Sequence, residues 1–83
     1  FTSIVLQVEE SAKTSISIFN KQGFLVKKIC TNELVNSKSE WLWNGLNEDS
    51  FRLPIGIYIL VAEMIDGDGK VEVLKEPIVI SGY

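Results

Sequence analysis

Apolar and polar residues alternate along most of the chain. Ile4, Leu6 and Val8 fall on one face of an extended segment, and so do Ile16 with Ile18, Trp41 with Trp43, Val71 with Val73, and Ile78 with Ile80. A period of two places every second side chain on one side of a strand, whereas no window of about eleven residues keeps a helical period. Turn chemistry separates the segments at residues 9–13, 20–23, 36–39, 44–56 and 66–69 and at Pro77. Short strands with turn signals at intervals of about ten residues predict an antiparallel β-sandwich of about seven strands.

Two of the turns have clear reasons. In "NKQG", residues 20–23, a polar residue opens a type I turn and Gly23 accepts a positive φ, which pairs a strand over 14–19 with one over 24–30. Val26 and Ile29 lie three apart, so both reach a core only through a bulge near Lys27 and Lys28, which then face water. In "DGDG", residues 66–69, two glycines close a second hairpin.

The stretch "WLWNGLNEDSFRLPIGIYIL" holds both tryptophans. Asn44 and Gly45 resemble a hairpin turn, but the polar residues after them start no returning strand, so residues 44–56 read as one long connection. Pro54 and Gly56 fit the first corner and last place of a type I turn. The most apolar strand, residues 57–65, follows.

Composition narrows the function. The 83 residues make one domain, 1–83, and the 46% hydrophobic content supports a core. The chain starts at Phe1, which suggests a C-terminal fragment of a larger protein. The net charge is −3 with scattered cations, so no basic patch marks a nucleic-acid partner. The longest apolar run is broken by Glu63, too early for a membrane span. Cys30 is the single cysteine and histidine is absent, which removes internal disulfides, the imidazole-based triads and the usual zinc sites. The carboxylate pairs Glu9 with Glu10, Glu48 with Asp49, and Asp66 with Asp68 all fall in turns. An EF-hand frame on Asp66 sets Lys70 and Pro77 at ligand positions, which an oxygen cage does not accept. The expectation is therefore no catalytic residue, no metal and no cofactor.

The blocks "SISIFNKQGFLVKKI", "WNG" and "LPIGIYIL" resemble the Ig-like domain of the flagellar hook-capping protein, a family also found at the C-termini of secreted bacterial proteins. Gly23, Trp43, Asn44, Gly45, Pro54, Gly56 and Tyr58 carry the likeness, over residues 4–80. Asn44 stands where the family usually has aspartate, and Ser50 where it has glycine. The resemblance implies an Ig-like sandwich without catalytic residues. It also implies an extracytoplasmic location and a role in assembling, anchoring or exporting a larger bacterial protein. It places Trp43 and Tyr58 in the core.

The alternative is a carbohydrate-binding module that stacks sugars on Trp41 and Trp43, which requires an exposed aromatic face. A further expectation concerns the strand after Gly56. If Tyr58, Leu60, Ala62 and Met64 point inward, then Ile57, Ile59, Val61 and Ile65 form an apolar outer face. That face is either covered by the other sheet or an interface for the preceding domain or for a second copy.

Overall fold

The structure, a computed structural model, describes residues 2–81. Its strands are β1 (Thr2–Gln7), β2 (Ala12–Phe19), β3 (Leu25–Val35), β4 (Lys38–Trp43), β5 (Gly56–Asp66) and β6 (Val71–Ile80), and no helix occurs among the described residues. β1 and β4 form a two-stranded antiparallel sheet, and the other four form a second antiparallel sheet in the order β3–β2–β5–β6. The two sheets pack face to face in a sandwich-like arrangement.

Alternation builds the core. On β2 the buried positions are Ala12, Thr14, Ile16 and Ile18, and on β5 they are Tyr58, Leu60, Ala62 and Met64. Register sets these rows side by side, with Ile18 opposite Leu60, Ile16 opposite Ala62 and Thr14 opposite Met64. Ile4 and Trp43 from the small sheet close over one part of this surface, with Leu53 from the loop. Leu6 from the small sheet closes the other part over Ala12, Met64 and Val35, the last lying beside Ala12 in the large sheet. Trp41 packs against both clusters and joins them.

Six strands stand where seven were expected, and Pro77 is the reason. It reads locally as a break, yet β6 runs through it, opposite Ile59. β6 is an edge strand, and proline is tolerated there because its missing N–H need not serve an inner ladder. β3 is also longer than expected, reaching Val35. Its pairing with β2 skips Val26 and Ile29 and shifts again near Asn32, whose φ is 50°. Val26 and Ile29 are therefore bulge residues flanking Lys27 and Lys28, and both pack on the core. Lys28 is exposed, but Lys27 is half-buried rather than fully in water.

Three loops share one hydrogen-bond pattern. Asn20 Oδ1 accepts the N–H of Gln22 and of Phe24, Asn47 Oδ1 those of Asp49 and Phe51, and Asp66 Oδ1 those of Asp68 and Lys70, all at 2.9–3.0 Å. In each the fourth residue donates to the carbonyl of the first and takes positive φ: Gly23 at 88°, Ser50 at 66° and Gly69 at 82°. Asn and Asp suit the first place because the side chain stands in for a backbone acceptor. Ser50 thus sits at a left-handed position that glycine occupies at lower cost. Ser50→Gly is expected to raise stability by about 0.5–1 kcal/mol, read as a higher urea midpoint at unchanged slope. A fall in midpoint contradicts this account of the loop.

The connection after β4 is organised by that middle turn. Asn44 Oδ1 accepts the Leu46 N–H at 3.1 Å, Leu46 bridges to Arg52, and Leu53 N–H returns to the Gly45 carbonyl at 3.1 Å. Glu48 then docks on β3: its N–H bonds the Val26 carbonyl, and its carboxylate accepts the Lys28 N–H. The loop so covers part of an edge that would otherwise template foreign strands. The expected type I turn at residues 53–56 is instead a bend at Ile55 without the closing backbone bond. Tyr58 secures this corner by donating its hydroxyl to the Pro54 carbonyl at 2.8 Å.

Candidate functional site

β5 has two unlike faces, and the outward one is the candidate. Tyr58, Leu60, Ala62 and Met64 are buried, so Ile57, Ile59, Val61 and Ile65 point away from the core. Ile57 is 47% exposed and the other three are half-buried. The small sheet packs on the inner side, so it does not cover them.

Neighbouring strands extend this surface. Ile57 lies opposite Val79, Ile59 between Phe19 and Pro77, and Ile65 between Lys13 and Val71. Val79 is 66% exposed and Val71 58%. Between these apolar ends runs a more polar band in which Val61 neighbours Ser17 and Lys75, and Glu63 neighbours Ser15 and Val73. A solvated sheet face ordinarily alternates to polar residues, and this one does so in the band and at Lys13 but not at the Ile57 end. The end built from Phe19, Ile57, Ile59, Pro77 and Val79 is a continuous apolar patch of the kind that marks interaction surfaces.

The tryptophans belong to the opposite side of the fold. Trp43 is 2% exposed and donates its indole N–H to the Leu46 carbonyl at 3.0 Å. Trp41 is half-buried and donates to Glu33 at 2.8 Å. Both point into the space between the sheets, and Leu42 between them points out. Among the described residues the exposed aromatic side chains are instead Phe24 and Phe51, each the fifth residue of an Asn-headed turn, a placement that the sequence pattern did not bring out. The repeated pattern Asn-x-x-Gly/Ser-Phe was the available signal.

Remaining chemistry is sparse. The Glu48 and Asp66 carboxylates accept backbone N–H groups, which is structural employment. Glu10, from the turn before β2, joins Asp66 and Asp68 with carboxylate oxygens within 4.8 Å of one another. The Asp66 carboxylate also serves the turn, through Oδ1. Burial pushes the Cys30 thiol up, against a lowering backbone hydrogen bond, so it is a poor nucleophile at neutral pH. Among the described residues no helix is long and apolar enough to cross a membrane.

No family model, no curated protein and no solved structure matches this chain.

Proposed function

We propose that the chain is a non-enzymatic Ig-like module that supports assembly, anchoring or export of a larger extracytoplasmic bacterial protein. The resemblance to the hook-capping Ig-like domain supplies the location and the class. The observation that carries the reading is the apolar outer face around Ile57, Ile59, Pro77 and Val79, which alternation alone does not require. Its occupant is a neighbouring domain of the same longer protein, and in isolated chains a second copy. In this reading the module carries no catalysis of its own: the sequence has no histidine, so the imidazole-based nucleophile and acid–base pairs cannot be built from it.

The carbohydrate alternative draws less support, since a sugar platform needs an exposed ring face and the rings of Trp41 and Trp43 turn inward. Substituting the outer face separates folding from association. Ile59→Lys is expected to keep the strand-type circular dichroism of the native chain while abolishing its self-association in sedimentation velocity. A variant that unfolds outright would show that Ile59 is core and would remove the basis of the proposal.

A further inference from the structure

The small sheet has two strands and the large one four, so the large inner face is only partly covered. One side of the sandwich is closed. β3 runs into β4 through residues 36–37, and among the described residues these are the only strands from different sheets whose Cα atoms come within 8 Å. The other side is open. There β1 and β6 face each other across a groove of about 480 Å³.

The floor of the groove is the hydrophobic core itself, with Ile16, Leu60 and Ala62 at its base. On β6, Leu74 pairs with Ala62, Glu76 with Leu60 and Ile78 with Tyr58, so these side chains stand on the inner face. Yet Leu74 is 40% exposed and Glu76 is exposed as well. Inner-face positions that water reaches lack a cover. Beside them, β1 is paired with β4 on one edge only, and its other edge presents unpaired N–H and C=O groups along the groove.

We propose that this seam takes one extended strand from a partner polypeptide, which adds to the free edge of β1 and carries basic residues among its apolar inward side chains. Main-chain pairing to β1 would hold it, and the floor would receive alternate side chains, as in other strand additions. The charge follows from the inner row of β6, where Glu72 and Glu76 alternate with Leu74 and Ile78. At the Leu6 end, Glu9, Glu10 and Asp66 also line the opening, against Lys70. Lys75 gives no compensation, because its partner Val61 is on the outer face.

A second copy fits poorly. β6 already lies beneath the vacant position, so symmetric pairing of two β1 edges would bring the second copy's β6 into occupied space. Each described strand is also already paired within the fold, leaving none to donate. The edge of β6 is less suited to addition than that of β1, because Pro77 lacks a donor there. This inference concerns a different surface from the outer face and stands or falls without it.

The test uses a blocked synthetic peptide of about seven residues, long enough to span β1. It carries lysine and valine alternately at the inward positions and threonine between them. Titrated into the isotopically labelled chain, it should bind saturably and slow amide exchange at alternate residues of β1. Replacing both lysines by glutamate should weaken binding at least about tenfold, and N-methylating the peptide's pairing amides should weaken it comparably. Glu76→Lys, an exposed substitution, should reverse the preference between the two peptides. No binding by the lysine peptide at millimolar concentration, equal affinity for both peptides, or unchanged β1 amides would overturn the proposal. Concentration-dependent protection of β1 before any peptide is added would assign the seam to a second copy and overturn it as well.

Discussion

Trp43→Ala is expected to destabilise the fold by about 3–5 kcal/mol. The ring is 2% exposed and belongs to the cluster of Ile4, Ile16, Ile18, Leu53 and Tyr58, so truncation leaves a cavity the size of an indole. Its indole N–H also fixes the Leu46 carbonyl at 3.0 Å, at the start of the loop that covers the edge of β3. Loss of the ring therefore removes apolar burial and a local anchor together. A domain of this size has only about 5–15 kcal/mol in total, so the variant should be partly unfolded well below the native midpoint. Urea titration measures the difference. A loss under about 1 kcal/mol would place the ring at the surface and revive the sugar-platform reading.

Leu60→Ala is expected to cost about 2–5 kcal/mol, and Ile57→Ala, in the same strand, less than about 1. Leu60 is 7% exposed and opposite Ile18, inside the sandwich. Ile57 is 47% exposed and opposite Val79, on the outside. The two residues are isomers, so transfer chemistry is nearly constant and the contrast reports which face each occupies. Equal losses would mean that the outer face of β5 is itself covered in the isolated chain, and the proposed interface would then be ordinary core.

The sequence makes some of this legible and hides the rest for physical reasons. The faces of β5 can be assigned from period two, once Tyr58 is set inward. The turns at Asn20 and Asp66 announce themselves through glycine at the left-handed place, whereas Asn47 heads the same turn with Ser50 there, so the loop reads as irregular. Pro77 carries a local signal for a break, and only its position on an edge strand, a tertiary fact, overrides it. Residues 31–35 have no clean alternation because a register shift near Asn32 interrupts their pairing with β2. The apolar surface around Ile57 and Ile59 follows from the same alternation once the resemblance sets Tyr58 inward. The open seam does not, since it depends on β1 choosing β4 from the far end of the first half of the chain, with nothing local to either strand that states the choice.

The proposed role rests on the outer face, and an NMR dilution series on the native chain addresses it most directly. Amide shifts that move with concentration are expected to cluster at Phe19, Ile57, Ile59 and Val79, with Trp41, Trp43 and the loop between β4 and β5 unmoved. Spectra that do not change with concentration, or shifts that gather at the tryptophans and that loop instead, would contradict the account.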